Sequence, residues 1–208
     1  MIKRLHYFKS SVIRASIFIK VVKDMARGII IFGSAGSGKT TLGRMVANKL
    51  GFPYFDIDDY IWRKDTDKPF TVMYTRDEKI NRLMTDISKG NYFVMAGSMD
   101  SFNAPFVPLF DLAAHITASV ETRIERIHKR EYEIFGERIM KGGDMYEGHC
   151  RFLDNSARYD LDGSPCMKTH MQWANSLPCK VLQLSGHEDL NKNVAILVQE
   201  YLKLGFTK

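Results

Sequence analysis

Gly28-Ile29-Ile30-Ile31-Phe32-Gly33-Ser34-Ala35-Gly36-Ser37-Gly38-Lys39-Thr40-Thr41 is the stretch that decides the fold. Its first five residues are an apolar run long enough for a buried strand and too short for a helix. From Gly33 onward the chain fits G-x-x-x-x-G-K-[ST] at every fixed position. Beyond it, Leu42, Met45, Val46, Lys49 and Leu50 recur at helical spacing. Gly51 then stands where a helix C-terminus takes its left-handed residue, and Pro53 follows. Strand, glycine-rich turn and helix form the context this motif requires. The glycines let consecutive N–H groups turn inward, and the helix N-terminus adds its partial positive charge. The residues from Gly33 to Thr41 therefore predict a cradle for a nucleoside triphosphate. Lys39 is expected to reach the β- and γ-phosphates, and the Thr40 hydroxyl to sit on Mg²⁺. The bland alternative is a glycine turn that binds nothing.

Composition narrows the class of partner. The 208 residues make one ordinary domain with room for an extension, and 45% hydrophobic and 26% charged residues are globular values. The sequence pI of about 9.2 points toward nucleic acid, but the charge sits in the wrong place. Residues 1–24 hold six Lys and Arg against Asp24 alone, a net of +5 out of the chain's +6. The remaining domain, 25–208, is left near neutral, without a phosphate-backbone footprint. Cys150, Cys166 and Cys179 are an odd number with no C-x-x-C pair, as expected of reduced thiols in a cytoplasmic protein. Within 1–24, Arg14 and Lys20 interrupt every apolar run, so no integral membrane segment is expected there. Val12, Ala15, Ile19 and Val22 could form one face of a basic amphipathic helix; a dispensable extension, with Met25 as the natural start, is the preferred reading.

Along the rest of the chain, strands alternate with helices. Short strands are expected at Phe52–Asp56, Tyr92–Ala96, Leu109–Ile116 and Lys180–Leu184. Helices are expected over Thr75–Lys89, Val120–Phe135 and Leu190–Leu204. Residues 136–149 look glycine-rich and irregular, with two helical stretches after them separated near Gly163-Ser164-Pro165. Such alternation predicts an α/β protein with a parallel sheet covered on both faces. Two patterns are set aside. Asn191-Lys192-Asn193-Val194 lacks the final Asp of a guanine-specificity motif. His149, Cys150, Cys166, His170 and Cys179 match no zinc-finger or ribbon spacing.

The layout resembles the P-loop small-molecule kinases: nucleoside monophosphate (adenylate), shikimate and gluconate kinases. The resemblance rests on the P-loop, on Asp56-Ile57-Asp58 after the second strand with Gly97-Ser98 closing the third, and on Glu125-Arg126-Ile127-His128-Lys129-Arg130. It implies a three-layer fold with a five-stranded sheet of order 2-3-1-4-5, an acceptor segment at about 57–90 and a helical lid at about 131–149. It further implies an ATP-dependent, Mg²⁺-requiring kinase acting on a small soluble acceptor. Arg126 would lie near the adenine, and Arg130 and Arg138 would close on the phosphates. Ser185-Gly186-His187 would offer backbone groups to the base.

Arg123, Arg126 and Arg130 are spaced to share one helical face, although interleaved Glu121, Glu125, Glu131 and Glu133 equally fit a solvated, salt-bridged helix. Asp58 is the candidate to hold the acceptor hydroxyl and take its proton, with Asp56 helping to hold Mg²⁺ through water. The competing role for these acids is helix capping. Arg76, Gly97 and Ser98 are candidates on the acceptor side. Trp62 and Phe70 could wall an acceptor pocket, though aromatics there more often belong to the core. Gly97-Ser98 departs from the glycine triplet of shikimate kinases, and Gly142-Gly143-Asp144-Met145-Tyr146-Glu147 matches neither kinase group. The rival class is an ATP-hydrolysing module that acts through a protein partner.

Overall fold

The computed structural model describes residues 26–205. The basic stretch 1–24 and the alternative start at Met25 lie outside the described residues.

Strand β1 (Arg27–Phe32) is the middle of a five-stranded, all-parallel sheet. It pairs with β3 (Tyr92–Ala96) on one side and β4 (Phe110–Thr117) on the other. β2 (Tyr54–Asp56) lies outside β3, and β5 (Lys180–Ser185) lies outside β4. The order is therefore 2-3-1-4-5, as expected. A parallel sheet buried on both faces needs apolar residues at consecutive positions rather than alternate ones. Ile29, Ile30, Ile31 and Phe32 accordingly have no exposed surface. Ile30 and Phe32 face one half of the core, with Leu83, Met84 and Ile87 of α3 (Arg76–Ile87). Ile29 and Ile31 face the other half, with Leu42 and Val46 of α1 (Lys39–Leu50) and Leu197 and Tyr201 of α7 (Leu190–Leu202). Truncating any of these isoleucines to Ala costs about 2–5 kcal/mol, through lost burial and the cavity left behind.

Between these elements lie α2 (Asp58–Ile61), α4 (Val120–Phe135), α5 (Tyr146–Ala157) and α6 (Met167–Ser176). Thr75 precedes α3 rather than opening it. Its side chain accepts from Glu78 N–H while the Glu78 carboxylate takes the Thr75 N–H, a reciprocal cap that fixes the start at Arg76. β2 begins two residues later than expected, because Pro53 has no N–H for the ladder and contributes only its carbonyl, to Val94. Between Trp62 and Met73 the chain makes a short antiparallel excursion, with Arg63 N–H on Val72 and Tyr74 N–H on Ile61.

The glycine-rich stretch is shorter than 136–149. Gly136, at φ 56°, stops α4; a 3₁₀ turn covers Gly136–Ile139, and α5 starts at Tyr146. Gly148 is an ordinary helical residue with open space around it, so its presence costs the helix about 1 kcal/mol without breaking it. Among the described residues, no helix is long and apolar enough to cross a membrane.

Candidate active site

Between β1 and α1 the backbone builds the cradle. Gly33, Gly36 and Gly38 have φ of 148°, 75° and 100°. A Cβ on Gly36 would stand 2.5 Å from the Arg123 carbonyl oxygen, so glycine is needed there for conformation and for space. Ser34 and Ser37 are buried, and the Ser34 carbonyl accepts from Ser37 N–H (3.3 Å), Ser37 Oγ (2.8 Å) and Lys39 Nζ (3.4 Å). α1 has no side-chain cap at its N-terminus and no acid in its first turn, so its first N–H groups stand free of any local anion. The buried Ser34 hydroxyl has no hydrogen-bond partner. Curled backbone, free helix N–H groups and an ammonium make a cavity suited to phosphate.

At the ends of β1 and β2 a second group of charges gathers. Burial pulls the Lys39 ammonium down; Asp58 draws it back up, Arg130 pushes it further down and Asp56 raises it again. Asp58, Arg130 and Asp56 thus all act on Lys39. Burial, reinforced by Asp58, raises the Asp56 carboxyl, while the Asp58 N–H hydrogen bond opposes the rise. That N–H lies 3.2 Å from Asp56 Oδ1, so Asp56 closes the turn into α2. Asp58 is itself the first residue of α2, exposed and making no side-chain cap. Of the two acids, capping belongs to Asp56. The Tyr54 hydroxyl donates to Asp56 Oδ2 (3.3 Å); burial raises its titration, Asp56 adds to the rise, and Thr40 beside it opposes it. Thr40 and Asp56, the two positions expected to serve Mg²⁺, are thereby brought to one place. Their hydroxyl and carboxylate oxygens are the hard ligands that ion takes. Tyr54 was not singled out from the sequence, where it is one aromatic of a short strand.

The arginines of α4 divide. Arg126 is exposed and reaches across the loop, from the Gly36 carbonyl (3.4 Å) to the Gly186 carbonyl (3.1 Å). It therefore meets the Ser185-Gly186-His187 turn, whose His187 Nε2 accepts from Ser119 N–H. Arg130 is exposed and senses Lys39. Arg123 does not share their role: its side chain is 1% exposed and donates to the Ala118 and Ser156 carbonyls and to Asp160 (2.6, 3.2 and 2.8 Å). Arg138 forms a fork on Asp144, with two hydrogen bonds of 2.9 Å, and Lys68 of the 62–74 excursion also reaches Asp144. The structure thus ties Arg138 to a carboxylate, not to the group around Lys39.

On the acceptor side, Gly97 lies against Ile57, where a Cβ would come within 2.5 Å of the Ile57 Cβ. This contact seats Ser98 beside the start of α2. Arg76 donates to the Ser101 carbonyl at 3.0 Å. Phe70 is not core: it is 52% exposed at φ 58° and packs edge-on against half-buried Trp62, ring centroids 6.0 Å apart. Of the five residues set aside as a zinc pattern, His149 pairs with Glu131 and His128, and His170 meets Ser98 and Tyr159.

A parallel sheet of this order, with a glycine-rich phosphate cradle at the end of its central strand, defines a P-loop α/β protein. Residues 29–141 match the AAA domain family, and the chain belongs to that family. The uncharacterized protein YqaC of Bacillus subtilis is 28% identical over 172 residues, 82% of this chain and 94% of its own. A shikimate kinase of Methylococcus capsulatus is 29% identical over 112 residues, 50% of this chain and 63% of its own. Among solved structures, a shikimate kinase of Bacteroides thetaiotaomicron shares the fold with a TM-score of 0.54 at 20% identity, covering 85% of this chain and 98% of that one. A gluconokinase of Sinorhizobium meliloti does so with a TM-score of 0.50 at 15% identity, over 88% and 99%. The P-loop small-molecule kinase resemblance therefore holds at the level of family and fold.

Proposed function

We propose that this protein transfers the γ-phosphoryl group of ATP, as its Mg²⁺ complex, to a small soluble acceptor. The observation that carries the reading is the glycine cradle itself, with left-handed Gly36 and Gly38, an uncapped α1 N-terminus and Lys39 on the Ser34 carbonyl, where Asp58, Arg130 and Asp56 all act on the Lys39 ammonium. Phosphoryl transfer needs positioning and neutralised charge more than covalent chemistry. The residues from Gly33 to Thr41 hold the phosphates through backbone N–H groups. Lys39 meets the β- and γ-oxygens, Arg130 the transferring group, and Arg126 the nucleotide near its base. Thr40 and Asp56 would hold the metal ion, which would supply positive charge to offset that of the phosphates. Asp58, exposed beside them, orients the acceptor and takes its proton, with Gly97, Ser98 and Arg76 on the acceptor's other side. Arg138 contributes after exchanging Asp144 for phosphate. The shikimate kinase and gluconokinase names among the relatives support a small acceptor.

ADP release tests the reading. With MgATP and fractions of a pooled metabolite extract, release rises with at least one fraction and fails to rise in the Lys39→Ala protein. Release that ignores every fraction contradicts the transfer and favours the ATP-hydrolysing module.

A further inference from the structure

A run of hydrogen bonds leads from the acceptor side of the site into the interior. Ser98 Oγ lies 3.0 Å from His170 Nε2, and His170 Nδ1 lies 2.9 Å from the Tyr159 hydroxyl. That hydroxyl is 3.0 Å from His115 Nε2, and His115 Nδ1 is 3.0 Å from Gln183 Oε1. Tyr159, His115 and His170 are 1%, 1% and 4% exposed. Phe32 stacks on His115 at 5.0 Å and sets its edge against His170 at 5.5 Å, so the rings are held by packing as well as by polar contacts. Burying three polar side chains in a row costs free energy unless each is satisfied, and here each is.

A neutral imidazole has one N–H and one lone pair, so one end of the run sets the direction of all of it. With the Gln183 carboxamide oxygen turned toward it, as in the structure, His115 donates from Nδ1 and its Nε2 is left as an acceptor. Tyr159 then donates to His115 and accepts from His170 Nδ1–H. His170 Nε2 is left with a lone pair, and the Ser98 hydroxyl must donate to it. His170 stays neutral in this arrangement: burial, then His115, then Lys39 pull it down to about 4. Burial lowers His115 in the same direction. An imidazolium at His115 would turn a second N–H on the Tyr159 hydroxyl, and one at His170 would donate to Ser98 Oγ and release the Ser98 hydrogen from the run.

Ser98 thus commits its only hydrogen inward and presents lone pairs outward. It is half-buried, and Ser98 and Asp58 each lie two residues beyond the paired ends of neighbouring parallel strands, Ala96 of β3 and Asp56 of β2. A carboxylate and a hydrogen-spent hydroxyl can only accept hydrogen bonds. They match an O–H group and turn lone pairs against the oxygens of a phosphate monoester. We infer that the acceptor of the proposed transfer is an alcohol, such as a polyol, sugar or nucleoside, and not a phosphate monoester, with His170 as the positioning residue that sets this choice through Ser98. The inference rests on the phosphoryl-transfer reading.

Histidine side-chain ¹H–¹⁵N correlation spectra of the intact protein test the direction of the run, the His170 signals being assigned from the His170→Gln protein. The expected result is the Nδ1–H tautomer with bare Nε2. An Nε2–H tautomer overturns the inference, because Ser98 then keeps its hydrogen for the ligand. ADP release is next read with a panel of polyols, sugars and nucleosides, and separately with AMP, CMP, GMP and UMP. Stimulation confined to the alcohols supports the inference. Stimulation confined to the monophosphates overturns it and leaves phosphoryl transfer standing; stimulation by neither panel, while a metabolite fraction still stimulates, overturns the inference alone. With a stimulating alcohol, Ser98→Ala raises its KM about tenfold, the worth of one hydrogen bond, with kcat changed less than about threefold. His170→Gln, whose amide oxygen can take the Ser98 hydrogen, retains a lower KM than His170→Phe. A folded Ser98→Ala protein with unchanged KM overturns the role of Ser98.

Discussion

The loop after β1 and the segment after α4 carry comparable charge chemistry but are held in different ways. The loop is enclosed by backbone: Ser34 and Ser37 are buried, and Gly33 and Gly36 lie against the carbonyls of Ile116 and Arg123. The segment 136–145 is anchored by buried Ile139 and by backbone bonds such as Met145 N–H on the Arg138 carbonyl, but its charged side chains are exposed, with Arg138 forked onto Asp144 and Lys68 reaching across to the same residue. A cradle made of N–H groups needs no rearrangement to meet phosphate. A charge clasp in water is worth little in stability and can exchange one anion for another. On the proposed function, a preformed cradle is paired with a charge clasp whose side chains can exchange partners.

The largest expected effect lies on the rigid side. Asp58→Asn keeps size and shape but cannot hold a proton as a carboxylate does, so acceptor-dependent turnover falls about 10²–10⁴-fold. Because Asp58 caps nothing, its melting temperature stays within about 1 °C. A protein that melts lower yet turns over normally makes Asp58 a structural acid. Next, Lys39→Ala lowers turnover at least about a hundredfold, whereas Arg138→Ala, on the movable side, lowers it about tenfold. Equal losses measured in one steady-state assay erase the distinction between the halves.

Two arginines on one helix sharpen the comparison. Arg123→Met leaves the Ala118 and Ser156 carbonyls without their donor and Asp160 without its partner. It costs about 2 kcal/mol, discounted because Asp160 is partly exposed, or about 4–8 °C in melting temperature. Arg130→Met leaves melting alone and lowers turnover. Calorimetry and turnover on both proteins decide it; a destabilised Arg130→Met protein contradicts the assignment.

The smallest effect is at Asp144. Arg138 holds its carboxyl below the usual aspartate range. A depressed carboxyl contributes above its unfolded value and loses that contribution as pH falls through the folded one. The clasp therefore persists through about pH 4 and opens below it. Amide signals of Gly142 and Gly143 inflect below about pH 4 in the wild type and not in Asp144→Asn. An inflection near neutral pH rules out the clasp.

The cradle was legible because its chemistry sits on consecutive residues, and the sheet order followed from the family resemblance the cradle and Asp56-Ile57-Asp58 carried. Arg123 was misjudged for a geometric reason. Seven residues return a helix to nearly the same angle, so Arg123 and Arg130 project alike, but Arg130 is about 10 Å further along the axis. There the helix has passed the Arg158–Asp160 turn, and α5 meets it through His149 on His128 and Glu131, leaving Arg130 exposed. Periodicity reports angle and says nothing of what lies above each turn. The run from Ser98 to Gln183 was illegible for another reason: its five residues come from five separate segments, and nothing in the sequence links them. The 62–74 excursion behaves likewise, with Phe70 outside the core that its apolar side chain suggested.

The central claim is that phosphate leaves ATP for another molecule and not for water. Phosphorus NMR of MgATP with the protein and a stimulating metabolite fraction measures this directly. The account predicts a phosphomonoester resonance that grows as the γ-phosphate signal declines, absent with Lys39→Ala. Inorganic phosphate as the sole product, formed at the same rate with and without the fraction, would contradict it.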